Sequence, residues 1–537
     1  MIARSERRFF WSILVSMVLI GALPYLVGRL LAPAGSVFYG NTVVAPYDSS
    51  IYYSYIEQGR QGHLFMTDVF TSEPFARTLW QPVWYVLGQF ANIFHLSAPT
   101  AFFLGRLATI PIFITALWWL AGWAFPDQRQ RRLAWVIMIC AGGVGGIASM
   151  LSGQPVYVNG VMPPDLWVTE AYPWLTVWGS PHFLLVSSGI IFVLVGVERS
   201  WQQRQWKSIP LIGLVALLTL SIHPFHIITW VATWIVVSVW RWVSSKRFPK
   251  EYVWRWVAVA AIASPALAMY GLQLLFDPLT IGRAAQNINP MTPVGLTLIG
   301  LGACMLLAPL GAWLWRPRDE RWRWAVSLAV TYLFVVYVPL TFQRRLAQGL
   351  FIPFALLTVP AILAIQQSIQ NWTRWARTLV LGFGLILLSS TWLVVFGFII
   401  KDYVDELAVS PKRMYYLSNE FVALTTTGVP QVPSNRAILA TLLEGNVIAG
   451  LTAHQVYLGY GVETINFDVK LAQMQQFFGQ SDQPTQRNFL LTHGLCYVLD
   501  SARARAYGGA FQPQLWPDLS MVWSGPTSSL YYLTSCR

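Results

Sequence analysis

Long apolar runs alternate with short polar stretches along most of the chain. A helix needs about 20 apolar residues to cross the hydrocarbon of a bilayer. Runs that approach this length lie at 9–31, 100–123, 133–151, 182–197, 209–222, 225–242, 255–275, 294–315, 324–341, 350–367 and 377–400. The stretch 81–96 is apolar as well, and loop charge decides how to count it. Basic clusters stand at Arg129-Arg131-Arg132, Arg199-Arg204-Lys207, Arg241-Lys246-Arg247-Lys250, Arg316-Arg318-Arg321-Arg323 and Arg374-Arg377. If 81–96 does not cross, all five clusters fall on the N-terminal side, which the positive-inside rule makes cytoplasmic. The pattern therefore predicts an all-α polytopic membrane bundle of about 11 transmembrane helices, or 12–13 with a further pair. The N-terminus is placed in the cytoplasm and the C-terminus outside, with 81–96 amphipathic or re-entrant. Arg4, Arg7 and Arg8 precede a first run too long for a signal peptide, so the N-terminus reads as an uncleaved anchor.

Two expected domains follow, a transmembrane part at 1–400 and a small extracytoplasmic α/β domain at 401–537. Outer loops are expected at 32–99, 152–181 and 276–293. In the C-terminal domain, Val456–Tyr460, Tyr497–Leu499 and Leu530–Thr534 read as strands. Val469–Phe478 and a stretch from Pro484 read as helices, the latter with Asp482 as a possible cap.

Composition agrees with a membrane setting, since 55% of the 537 residues are hydrophobic and 11% charged, against roughly 25% charged in soluble domains. The excess of 36 Lys and Arg over 23 Asp and Glu gives a net charge of +13. It sits in loop clusters, as in a membrane protein, and not in a pattern suited to nucleic acid. Cys140 and Cys304 lie in apolar runs and read as packing residues. Cys496 and Cys536 fall in the polar C-terminal part, where pairing is open to them if that part lies outside the cell.

None of the acids falls inside a predicted span, which speaks against an ion-coupled transporter. The acids expected on the outer face are Asp48, Glu57, Asp68, Glu73, Asp165, Glu170 and Asp277. Asp48 precedes Tyr52, Tyr53 and Tyr55, whose spacing predicts a helix lying at the membrane interface. Asp48 is placed either to cap that helix or to do chemistry. Two adjacent arginines, Arg344 and Arg345, break the charge rule at the outer end of a span and suit bidentate phosphate contact. Snorkelling to ordinary headgroups is the plainer reading. His182, His223 and His226 open or join spans on the same side. They read either as phosphate-contacting or metal-binding groups or as turn histidines bonded to backbone. Asp165 and Glu170 could join Asp48 around a divalent cation such as Mg or Mn. Trp167, Trp174 and Trp178 are placed to stack on a sugar, whereas Arg77 and Arg283 read as solvated loop charges.

The first outer loop runs Asp48…Tyr52…Gln58-Gly59…Phe70-Thr71-Ser72-Glu73-Pro74 and leads to Gly105-Arg106-Leu107. This resembles the GT-C superfamily of polytopic membrane glycosyltransferases, the protein O-mannosyltransferase-like and aminoarabinose-transferase-like bacterial enzymes. Many members carry an acidic pair where this chain has Asp48-Ser49. The stretch Val456–Thr464, followed by Lys470, is similar to outer domains of such proteins. The resemblance implies transfer of a sugar from a polyprenyl-phosphate donor to a lipid, glycan or protein acceptor at the outer face of the bacterial cytoplasmic membrane. It implies Asp48 as the base and Glu73 as a second active-site carboxylate. Arg344 and Arg345 would then hold phosphate, with His182, His223, His226 and Tyr52 lining the site. The alternatives are a lipid or glycan transporter, or a non-catalytic relative that binds glycan through its C-terminal domain.

Overall fold

The computed structural model describes residues 4–41, 46–157, 160–408 and 415–536. Each predicted apolar run contains helix. Among the described residues seven helices are long and apolar enough to cross a membrane: Arg4–Leu30, Ala98–Ala124, Pro181–Gln202, His226–Ser245, Lys250–Phe276, Gln343–Ser368 and Arg374–Leu407. Two bent pairs, Gln128–Cys140 with Gly145–Ser152 (45°) and Val294–Leu301 with Ala303–Leu314 (73°), bring the number to nine if each is one span. The two remaining runs hold the shorter helices Ile209–Ile222 and Glu320–Val335. The stretch 81–96 holds the 12-residue helix Pro82–Ile93, about 18 Å long and too short to cross.

By its contacts the chain divides into two units. The first comprises 1–24, 106–271 and 288–401, and the second 25–105, 272–287 and 402–537. In the first unit the two bent helix pairs meet at their breaks. Val144 N–H donates to Ile299 C=O at 3.2 Å, and Gly302 has φ +53°, a conformation glycine adopts without strain. A Cβ on Gly143 would stand 2.3 Å from Gly300 O, so only glycine allows this approach. Breaking a helix frees backbone N–H and C=O groups, which apolar surroundings tolerate only if they find new partners. Asp165 and Thr391 supply them: Asp165 Oδ2 accepts Gly145 N–H at 3.0 Å and the Thr391 hydroxyl at 3.0 Å. Thr391 Oγ1 also reaches Gly143 O at 2.9 Å.

Several of the long helices outlast their apolar runs and carry acids near their ends, among them Glu6, Glu251 and Glu406. Helix Pro181–Gln202 outlasts its apolar run and carries Glu198, fully buried. Arg241 on helix His226–Ser245 donates to it and to Glu320, the latter at 2.8 Å. The Arg241 guanidinium also lies 3.7 Å from the Trp201 ring centroid. Pairing is what allows such a charge to be buried.

The second unit packs helix Asp48–Arg60 between Pro82–Ile93 and Leu442–Thr452. A Cβ on Gly88 would meet Arg60 N at 2.5 Å, and one on Gly450 would meet Ser50 Cα at 2.9 Å. Tyr53 and Tyr55 are buried in this core, so the tyrosine-rich helix is an internal element and not an interfacial one. Strand Ser36–Phe38 pairs antiparallel with Tyr416–Ser418. A four-stranded sheet is ordered Ile438–Leu439, Tyr497–Asp500, Ser529–Leu533, Leu519–Ser524, with only the first pair parallel. Two of the three expected strands are present. Val456–Tyr460 forms only isolated bridges, Val456 with Ile438 and Leu458 with Thr71. Both expected helices occur, at Phe467–Gly479 and Gln483–Thr492. Asp482 caps the second by accepting Thr485 N–H at 3.0 Å.

Cys496 and Cys536 form a disulfide with their Cα atoms 5.4 Å apart, while Cys140 and Cys304 are free thiols. The bond closes a segment with a sequence separation of 40, for which loop entropy gives about 4 kcal/mol. Replacing both cysteines by serine should make the 496–536 region cleavable by protease at lower temperature than in the parent. Unchanged cleavage on heating would show that the bond contributes little.

Candidate functional site

Three of the four acids of the first loop, Asp48, Asp68 and Glu73, are each met by the segment 460–470 of the same unit; the fourth, Glu57, pairs with Arg60. Asp48 is the first residue of its helix, with the cap position on Tyr47. A carboxylate there is favoured by the helix dipole. Tyr460 Oη donates to Asp48 Oδ1 at 2.5 Å. Glu73 is 35% exposed and receives Lys470 Nζ at 2.7 Å and the Thr71 hydroxyl. Lys470 also reaches Thr71 Oγ1 at 2.9 Å and Ser72 Oγ at 3.2 Å. Burial lowers the pKa of Lys470, against the pull of Glu73.

Asp68 and Glu463 share one cation. Arg283 Nε lies 3.7 Å from Asp68 Oδ2, its Nη2 contacts Glu463, and Nη2 also donates to Tyr55 Oη at 3.2 Å. Asp68 Oδ1 accepts Phe70 N–H at 2.8 Å. Burial, then the Glu463 charge, raise the Asp68 pKa well above its ordinary value, with Arg283 opposing. Arg283 is therefore a largely enclosed cation paired with two carboxylates, and not the solvated loop charge expected. Thr464 fixes the same segment, its hydroxyl donating to Phe70 O at 2.7 Å.

Tyr52, expected to line the site, stacks on Trp84 with centroids 4.7 Å apart and on Phe102 at 6.0 Å. Arg77 donates to Gln58 Oε1 at 2.9 Å.

The other expected residues belong to the first unit, where His182, His223 and His226 do cluster. The His182 and His223 ring centroids are 5.0 Å apart, and those of His223 and His226 5.8 Å. Their hub is Gln348, fully buried and not singled out from sequence. Its Nε2 donates to Phe183 O and Ser187 Oγ, both at 2.9 Å. Its Oε1 therefore faces His223 Nδ1 at 3.2 Å and His226 Nε2 at 2.9 Å. An amide oxygen only accepts, so this network assigns His223 an Nδ1–H and His226 an Nε2–H. His182 Nδ1 lies 2.6 Å from Ser180 Oγ.

Arg344 and Arg345 sit in the turn Gln343–Ala347 just before Gln348. Arg344 donates to Asn289 Oδ1 at 2.7 Å and lies over Trp167 at 4.8 Å. Trp174 and Trp178 are buried and pack edge to face. Trp178 donates to Ile20 O at 2.8 Å. They are packing residues and not sugar platforms.

Of the expected cation ligands, Asp165 and Glu170 belong to the first unit and Asp48 to the second. Among the described residues no three His, Cys, Asp or Glu side chains stand together as a metal would need. Asp165 is occupied by Gly145 and Thr391, and Glu170 is buried with one carboxylate oxygen unpartnered.

No family model matches the chain, and no curated protein does. Solved structures do. The archaeal oligosaccharyltransferase AglB from Archaeoglobus fulgidus, in complex with an inhibitory peptide and a dolichol-phosphate, matches with a TM-score of 0.53 and 13% identity, over 97% of this chain and 73% of that one. The oligosaccharyltransferase of the same organism, tethered to an acceptor peptide containing the NVT sequon, matches at 0.53 and 14%, over 98% and 74%. Its complex with Zn and sulfate matches at 0.50 and 12%, over 97% and 73%. The chain thus shares its fold with these oligosaccharyltransferases.

Two outcomes follow from the buried charges. Arg283→Met leaves Asp68 and Glu463 buried without their cation and should cost about 3–5 kcal/mol of stability, read as a large fall in melting temperature. A smaller cost for Arg283→Met than for Tyr55→Phe would contradict the arrangement. Burial pushes Asp165 up to about 7, against the hydrogen bonds from Thr391 and Gly145. A carboxyl raised on folding binds its proton more tightly in the folded state, so its stabilising effect is full in acid and lost as pH rises towards 7. The deficit of Asp165→Asn relative to the parent should therefore shrink between pH 5 and pH 8 in thermal melts; a constant deficit would contradict the shift.

Proposed function

We propose that the protein is a membrane glycosyltransferase that moves a sugar from a polyprenyl-phosphate-linked donor to a lipid, glycan or protein hydroxyl. The observation that carries this reading is Asp48, at a helix start, held by Tyr460 within a fold shared with oligosaccharyltransferases. Transfer to a hydroxyl needs a base for the acceptor proton, and a half-buried carboxylate suits that task. Asp48 is assigned this role. Tyr460 orients it, and Glu73, tethered by Lys470, is a second carboxylate of the same unit.

In the first unit, Arg344 and Arg345 with His182, His223 and His226 are assigned to the lipid phosphate, whose charge grows as the bond to the sugar breaks. The relatives support a phosphate-bearing lipid, since one of the solved oligosaccharyltransferases holds dolichol-phosphate. The reading places the second unit at the outer face of the cytoplasmic membrane. The Cys496–Cys536 disulfide supports this, because such bonds persist in oxidising compartments, as does the distribution of basic clusters.

The test is turnover of purified protein against a panel of polyprenyl-phosphate sugars. Asp48→Asn should reduce the rate by at least about 100-fold. Tyr460→Phe, which removes a hydrogen bond to a charged group, should reduce it about tenfold. Equal turnover by the parent and Asp48→Asn would remove Asp48 from the mechanism.

A further inference from the structure

Three basic clusters that are separate in sequence converge on one cavity of the first unit. Its volume is about 550 Å³, and its lining includes Trp118, Trp119, Trp123, Arg131, Arg199 and Arg321. The tryptophans come from the last two turns of helix Ala98–Ala124, and Arg131 from the first turn of Gln128–Cys140. Arg199 stands in the last turn of Pro181–Gln202 and Arg321 in the first of Glu320–Val335.

The cations are unequally compensated. Arg131 pairs with Glu6 at 3.0 Å and Arg321 with Asp319 at 3.4 Å. Arg199 lies over the Trp119 ring at 5.5 Å and, among the described residues, pairs with no carboxylate. Arg131 lies over Trp118 at 5.7 Å. The cavity thus offers guanidinium groups stacked on indoles, with one positive charge more than its acidic partners balance. Guanidinium binds phosphate oxygens in bidentate fashion, and indole rings accept the apolar part of an amphiphile beside a polar head.

We propose that this cavity is a binding site for the phosphodiester headgroup of an anionic lipid, with Arg199 and Arg321 on the phosphate and the tryptophans along the adjoining chain. The shared chemistry is a phosphate anion, and the tryptophan wall selects the lipid source over free phosphate. This site uses none of the residues assigned to sugar transfer, so its test stands apart from the transferase reading.

The experiment titrates the purified full chain, in neutral detergent, with phosphatidylglycerol, phosphatidylcholine and inorganic phosphate, following tryptophan fluorescence and melting temperature. Phosphatidylglycerol should bind saturably and at least tenfold more tightly than either other probe. Arg199→Gln and Arg321→Gln should each weaken that binding several-fold. Arg318→Gln removes the same charge from the same sequence cluster without lining the cavity, and should leave it unchanged. Fluorescence and melting of the unliganded variants show whether each is folded, and Trp119→Leu gives a second route to the same loss. Equal binding of phosphatidylcholine, equal binding of inorganic phosphate, or equal losses from Arg318→Gln and Arg199→Gln would each overturn the proposal.

Discussion

A polar group taken out of water must find a partner inside the protein, and this requirement organises both units. In the first, two broken helices expose backbone at their breaks, and the Asp165 carboxylate with the Thr391 hydroxyl answers it. Glu198 is buried because Arg241 reaches it, and two histidines take opposite tautomers because one amide oxygen serves both. In the second, Arg283 is shared by two carboxylates and a phenol. Each arrangement answers a desolvation cost that would otherwise be several kcal/mol.

The same requirement sorts the acids by how far they are enclosed. Asp165 is buried and accepts from Gly145 and Thr391, and Asp68 is buried beside Arg283. Asp48 and Glu73 are less enclosed, and the C-terminal segment reaches them through Tyr460 and Lys470. The tether fixes a carboxylate in direction without shutting it away. A base in the proposed transfer needs both properties, since its orientation matters and the acceptor hydroxyl must be able to reach it.

Much of the architecture was legible in the order of apolar and polar residues. Helices occur in every apolar run because backbone in hydrocarbon has few other ways to pair. Boundaries were less legible: Glu198 lies beyond an apolar run yet within the helix, since a paired charge lengthens a helix that hydropathy alone would end. The tyrosine-rich helix was misread as interfacial because aromatic rings suit a headgroup region and a protein core equally well. Trp174 and Trp178 were misread for the same reason. Glu463 and Gln348 escaped notice, and Arg283 was read as a solvated loop charge, because their partners are distant in sequence, and neither spacing nor composition encodes such pairs. Glu463 and Lys470 did stand in the stretch that resembled outer domains of related proteins, and that likeness was the one signal pointing towards them.

The tethers have a temporal consequence. Asp48, Asp68 and Glu73 emerge from the ribosome roughly 400 residues before Tyr460, Glu463 and Lys470. Contacts of such long range form late, because a large loop must close before they are rewarded. During synthesis the early carboxylates are thus unarranged, and the loop that carries them acquires its order only when the stretch 460–470 docks. A loop that is made among the first parts of the chain is thus among the last to settle.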